Sequence, residues 1–169
     1  QADKRLTREF LTSIDTVVFD IDGVLLYVIG SFREVVSHTV QFYFTNILGF
    51  EGSKTLIQPV ENELFKLAGK FNNDWDLTYA VVLFYLWKSK RLKTRNIDVM
   101  RTEGMSLEDF TGEIKRMGGG LEQAKSFLFA GLEEEEKEET LREYDQEKIW
   151  HIFQEFYCGK DLAPVMYGI

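Results

Sequence analysis

The stretch VVFDIDGVLL, from Val17 to Leu26, places two aspartates and a glycine inside an otherwise apolar run. Its first part, Thr16 to Ile21, is rich in β-branched and aromatic residues, a composition typical of strands buried on both faces. We therefore expect a buried strand here. Asp20 and Asp22 stand at its carboxyl end, where open α/β sheets bind ligands. Because side chains alternate along a strand, two acids two residues apart point the same way.

Two carboxylates so close together repel each other unless a cation neutralises them. An oxygen site of this kind suits Mg²⁺, which takes one or two carboxylates together with substrate phosphate. Gly23 permits a sharp backbone turn directly after the acids. The residues predict a magnesium and phosphate site at Asp20 and Asp22, and the alternative is an aspartate pair that only caps a turn.

Helical patterns dominate the chain after this stretch. A buried strand needs neighbours for its backbone N–H and C=O groups, and we recognise no convincing second strand. We therefore expect a mainly α fold, a helical bundle with one or few strands of an incomplete α/β core. Start and stop signals place helices from Ser31 to Gly49, after Pro59, from Asn73 or Asp74 to Lys93, from Ser106 to Gly118, from Leu121 to Ala130 and from Asp145 to Tyr157.

Composition excludes several classes of protein. The 169 residues carry a formal charge of −8, whereas nucleic-acid-binding domains carry a surplus of clustered Lys and Arg, so we expect no nucleic-acid partner. The longest apolar run, Tyr79 to Trp87, is far shorter than the roughly 20 residues that span a bilayer, so we expect no membrane segment. Cys158 is the single cysteine, which excludes an intrachain disulfide and favours a reducing, cytoplasmic location.

The segment VFDIDGVLL, Val18 to Leu26, resembles the first motif of the haloacid dehalogenase superfamily, whose members are mostly phosphatases and phosphomutases. The resemblance implies a Rossmann-like α/β core and a small phosphorylated metabolite as substrate. Asp20 would be the nucleophile, and Asp22 the general acid and then the base that activates water. The Asp20 carboxylate and the Asp22 backbone carbonyl would bind Mg²⁺.

In one branch of this superfamily a helical cap domain directly follows the first motif. The resemblance then implies that residues 1–26 belong to the core, that residues 27–165 form the cap, and that residues 166–169 begin the return to the core. The piece GKFNNDWDLTYA, Gly69 to Ala80, resembles a stretch in such caps. Gly23, Asn72, Asn73, Asp74 and Trp75 are accordingly candidate substrate-binding residues. For the last four, helix capping with Trp75 packed in the core of the cap is the alternative, and it is the one that the sequence favours.

The family also needs a Ser or Thr after a second strand, a Lys and a late acidic motif, and we do not recognise them here. We therefore expect the amino-terminal part of a larger enzyme, inactive by itself, whose strand is covered by a further core segment or by a second copy of the chain. A phosphomutase of the same superfamily is one alternative. A helical binding or regulatory module without catalysis is another.

Two smaller groups of residues are further candidate sites. His38 and His151 lie on predicted helices without a second histidine or cysteine at metal-binding spacing, so neither is expected to bind a metal. A basic cluster at the end of the third predicted helix could contact a substrate phosphate, but solvation of a helix end explains it better. Its members are Lys88, Lys90, Arg91, Lys93 and Arg95.

Overall fold

The computed structural model describes residues 15–19 and 32–168, and in these the fold is a bundle of α-helices. The helices are α1 (Phe32–Phe42), continued by a π-helical turn (Tyr43–Ile47), a 3₁₀ turn (Pro59–Glu61) leading into α2 (Asn62–Ala68), α3 (Asp74–Leu92), α4 (Ile97–Thr102), α5 (Leu107–Arg116), α6 (Leu121–Ala130), α7 (Glu134–Glu143), α8 (Gln146–Cys158) and α9 (Ala163–Tyr167). The mainly helical part of the predicted fold is confirmed.

Side-chain caps fix where several helices begin. The side chain of Asn73 accepts a hydrogen bond from the Asp76 amide at the start of α3, and that of Ser106 accepts one from the Asp109 amide at the start of α5. Each cap satisfies a backbone N–H that has no partner inside the helix. After α5 the chain turns through glycines 118–120, all with positive φ, a conformation that other residues rarely adopt.

Helix α3 lies at the centre of the bundle and contacts α1, α6, α7 and α8. All seven side chains from Ala80 to Leu86 are buried, so this stretch has no solvent-facing side. Phe84 stacks on Phe110 of α5 with ring centroids 4.6 Å apart. A fully buried side chain of this size contributes about 1.5–3 kcal/mol through the hydrophobic effect, so α3 forms the largest part of the core.

The first and last long helices of the bundle pack against each other. Helix α1 contacts α8 along its length. The Tyr43 hydroxyl, just after α1, donates to the Glu143 carbonyl at 2.9 Å and accepts from the Asp145 amide at 3.2 Å. Burial raises the pKa of this hydroxyl, so it stays protonated as a donor. The residues between α7 and α8 are thus hydrogen-bonded to the residue that follows α1.

Within residues 15–19 and 32–168 the β-pairing is a single isolated bridge between Glu51 and Asn96, with no sheet. The loop that contains Glu51 is also held by Asp98, whose carboxylate accepts from the backbone amides of Ser53 and Lys54 at 2.8 and 2.7 Å. These hydrogen bonds lower the pKa of Asp98. None of the helices in the described ranges combines the length and the apolar character that a membrane crossing requires.

The expected buried strand is not found over the described part of its range. Residues 15–19 are neither helix nor strand, and the side chains of Val17, Val18 and Phe19 are 64%, 88% and 62% exposed. A strand satisfies its backbone groups through neighbouring strands, and the described chain offers none. Residues 20 and 21, the end of the expected strand, lie outside the described residues.

Candidate functional site

The acidic motif, with Asp20, Asp22 and Gly23, lies outside the described residues. Phe32, the first residue of α1, comes ten positions after Asp22. A chain of that length spans at most about 36 Å when fully extended. Any site that combines the acidic motif with the bundle therefore lies within that reach of the start of α1.

A cavity of about 230 Å³ opens at this end of the bundle. It lies where the first residues of α1 and α3 meet the second half of α8. The residues that line it are Phe32, Asn73, Asp74, Trp75, Phe153, Gln154 and Tyr157. Three of the four candidate residues from the cap segment thus share one cavity, whereas Asn72 is exposed and does not line it.

Aromatic rings form most of the cavity wall. Phe32 stacks on Tyr157 with centroids 5.2 Å apart and planes 22° apart. Phe153 continues this stack, 6.3 Å from Tyr157. Because Phe153 and Tyr157 are four residues apart on α8, they lie on one face of that helix. The rings therefore present a continuous apolar surface to the cavity.

Trp75 enters the cavity from α3 and is held by a buried amide. Gln154 is 1% exposed, and when its amide is oriented to satisfy its neighbours, Oε1 accepts from Trp75 Nε1 at 3.1 Å and from Trp150 Nε1 at 3.2 Å. Burying an amide without hydrogen-bond partners costs free energy, so these hydrogen bonds hold the Gln154 amide and the Trp75 indole in place. The indole of Trp75 is nevertheless 41% exposed. The expectation that it packs in the core of the cap is therefore wrong.

Asn73 and Asp74, at the start of α3, also have hydrogen-bond partners within the fold. Asn73 caps the helix, as predicted, and its Nδ2 donates to Asp76 Oδ2 at 2.9 Å. Lys66 Nζ donates to Asp74 Oδ1 at 2.9 Å. Helix capping is thus confirmed for Asn73. Asn73 therefore caps α3 and also lines the cavity.

The basic cluster at the end of α3 is occupied within the bundle. Lys88 is buried and donates to the Met105 carbonyl at 2.8 Å; burial, with Arg101 nearby, lowers its pKa. Lys90 Nζ lies 3.0 Å from Glu139 and 3.1 Å from Glu143. Arg91 and Arg95 have partners too, the Gly131 carbonyl and Glu143. These contacts assign Lys88, Lys90, Arg91 and Arg95 to the fold, so burial and pairing within the bundle, rather than the expected solvation of a helix end, explain these four residues.

Metal-ligating residues do not gather in the described ranges. No group of three or more His, Cys, Asp and Glu side chains that could hold a metal is found there. His38 lies 3.9 Å from Glu34 and against the Phe156 ring, and His151 lies against the Trp150 ring. The Mg²⁺ expected at Asp20 and Asp22 stays a prediction, since both residues lie outside these ranges.

Four residues of the cavity were not anticipated from the sequence. Phe32 lies in the helix expected from Ser31 to Gly49, and Phe153 and Tyr157 lie in the one expected from Asp145 to Tyr157, but no sequence signal marks them as cavity residues. Gln154 carries no sequence signal at all. Comparisons of the chain with models of protein families, with curated proteins and with solved structures found no match.

Proposed function

We propose that this chain carries the phosphoryl-transfer motif of a Mg²⁺-dependent phosphatase of haloacid dehalogenase type, with the helical bundle as its cap. The observation that carries the proposal is the order of its parts. In the sequence a D-x-D-G motif after an apolar run precedes the helical bundle, which begins at Phe32, and Phe32 lines a cavity. That order matches the branch with a cap inserted after the first motif.

In this proposal the chemistry belongs to the two aspartates. The Asp20 carboxylate attacks phosphorus and displaces the leaving-group oxygen, which Asp22 protonates. Asp22 then takes a proton from water, whose oxygen attacks the aspartyl-phosphate, releases inorganic phosphate and restores Asp20. Bound Mg²⁺ would offset the negative charge that otherwise keeps two anions apart.

The bundle contributes positioning and exclusion of water. A cap cavity near the motif holds the part of the substrate that does not react, and binding energy gained there orients the phosphate for attack. The hydroxyl, lysine and late acid that the resemblance implies would come from a further segment or chain. They are part of the proposal, not of the described residues.

Asp20→Asn in the full-length protein is the test. An amide cannot form the acyl-phosphate, so hydrolysis at saturating Mg²⁺ should be abolished. Asp22→Asn should lower turnover strongly for alkyl phosphates, whose leaving group needs a proton, and less for nitrophenyl phosphate. Asp15→Asn, an acid of the same segment outside the motif, is the matched control and should leave activity unchanged.

Release of inorganic phosphate is the measurement. Full activity of the Asp20→Asn variant would overturn the proposal, as would an equal loss in the Asp15→Asn control.

A further inference from the structure

We propose that the cavity between α1, α3 and α8 binds an aromatic ring, and that this ring belongs to the leaving group of the phosphorylated substrate. The second half of this statement rests on the proposed function. The first half rests on the cavity itself and can be tested by binding.

The cavity has the size of a substituted ring. An apolar protein cavity of about 150 Å³ accommodates benzene, and this cavity measures about 230 Å³. It therefore has room for a six-membered ring with substituents or for a small bicyclic ring.

The walls favour aromatic over aliphatic groups. Rings from three helices, Phe32, Trp75 and the pair Phe153 and Tyr157, line the same space. Aromatic pairs in offset or edge-to-face contact attract each other beyond the burial of area alone. An aliphatic ring of equal volume gains from the burial of apolar area but not from aromatic contact.

Trp75 is held in place before any ligand arrives. Its indole is 41% exposed, and its N–H donates to a buried amide, that of Gln154. An exposed side chain usually keeps its rotamer freedom, which binding would then have to remove. Because Gln154 has already removed it, ring binding at Trp75 costs less entropy.

The charges of the cavity exclude the phosphoryl group itself. Among the described residues that line it there is no Lys, Arg or His, and the charged one, Asp74, is negative and already paired with Lys66. Phosphate is bound by charge-assisted donors, which this lining lacks. The cavity therefore suits the neutral, aromatic part of a substrate and leaves the phosphate to the acidic motif.

A binding measurement on the full-length protein tests the ring preference. We would titrate 4-methylphenol and, as the aliphatic probe of similar size, cyclohexylmethanol, and follow the indole N–H resonances by NMR. We expect 4-methylphenol to shift the Trp75 resonance saturably and to bind about fivefold to tenfold more tightly. Equal affinity of the two probes, or shifts that leave Trp75 unmoved, would overturn the inference.

A matched pair of variants locates the site. Trp75→Leu should weaken 4-methylphenol binding about fivefold to tenfold. Phe156→Leu should not, since Phe156 is 42% exposed like Trp75 but contacts His38 and Phe42 outside the cavity. Trp75→Phe, which keeps a ring, should retain most of the affinity. Equal losses in Trp75→Leu and Phe156→Leu would overturn the assignment to this cavity.

Activity separates this inference from the proposed function. With phenyl phosphate and cyclohexylmethyl phosphate as substrates, we expect Trp75→Leu to raise KM for the aryl ester selectively. Absence of turnover with any phosphate ester would overturn the proposed function, while the binding measurement would still decide whether the cavity prefers rings. Turnover without a ring preference in binding would overturn the inference and leave the proposed function standing.

Discussion

Two apolar runs of this chain differ completely in their surroundings. Val17 to Phe19 are more than half exposed, whereas every side chain from Ala80 to Leu86 is buried. The second run lies in α3, which packs against α1, α6, α7 and α8. The first run belongs to no helix or strand and has no sheet beside it in the described chain. Apolar composition alone therefore does not bury a segment; it is buried only where neighbouring helices or strands pack against it.

The difference has a consequence for the exposed run. Three consecutive large apolar side chains in contact with water are an unusual surface and commonly mark a place where another surface docks. A core segment or a second chain that supplies neighbouring strands would cover them, as the proposed function requires.

The largest expected effect comes from deleting one aromatic side chain in each run. Phe84→Ala should lower the free energy of unfolding by about 3–5 kcal/mol, because the ring is fully buried and stacks on Phe110. Phe19→Ala should change it by no more than about 0.5 kcal/mol. Denaturant unfolding of this chain measures both. A loss above about 2 kcal/mol in Phe19→Ala would contradict the exposure of the first run.

A smaller effect is expected when volume is kept and polarity is changed. Val82→Thr places a hydroxyl in the core, where it can bond only to the preceding turn of its own helix, and should cost about 1–2 kcal/mol. Val18→Thr, at an exposed position, should cost almost nothing. Equal losses in the two unfolding midpoints would mean that both valines sit in similar surroundings.

Helix caps should matter less than core burial. Ser106→Ala removes the hydroxyl that accepts from the Asp109 amide and should cost about 1 kcal/mol. Ser126→Ala, the same change at an exposed position inside α6, should be neutral or stabilise by a few tenths of a kcal/mol, because alanine is the better helix former. Thermal unfolding compares the two, and a destabilised Ser126→Ala would contradict this account.

The smallest expected effect depends on pH. Burial raises the pKa of Glu143, but hydrogen bonds from Arg95 and Lys90 outweigh it, so the folded pKa lies below the ordinary value of 4.5. The carboxylate therefore stabilises the fold above about pH 4.5, and this contribution is lost as pH falls through the folded pKa. Glu143→Gln should melt below the unsubstituted protein at pH 6, and the gap should close toward pH 3. Glu135→Gln, at an exposed position of α7, is the matched control for the same chemical change.

Much of the helical framework could be predicted because its signals are local. Asn73 and Ser106 cap the helices that they were expected to cap, and α6 has the expected bounds. The acidic run Glu133 to Glu139 supplies the N-cap and the first six residues of α7. The short helices α4 and α9 were missed, and so was the π-helical turn after α1, because their few residues carry too little periodicity.

Only the part of the cavity formed by the start of α3 could be predicted from the sequence. Asn73 to Trp75 were candidates through a resemblance in the sequence around them. Phe32 and Tyr157 meet across more than 100 residues of chain, and nothing local specifies that α1 pairs with α8. In the sequence Gln154 is an ordinary polar residue of a helix. Its role follows only from the folded structure, in which it accepts hydrogen bonds from the indoles of Trp75 and Trp150. Contacts between distant helices, not propensities, build this site.

The pairing of α1 with α8 also sets a waiting time during synthesis. Gln146 follows Phe42 by about 100 residues, so at ribosomal rates α1 is made about 5–20 s before the helix that covers it. Over that interval the side chains that will contact α8 stay unsatisfied on a nascent chain. The contact between α1 and α3 can form earlier, because α3 ends at Leu92, whereas the contact between α1 and α8 must wait for residues 146–158.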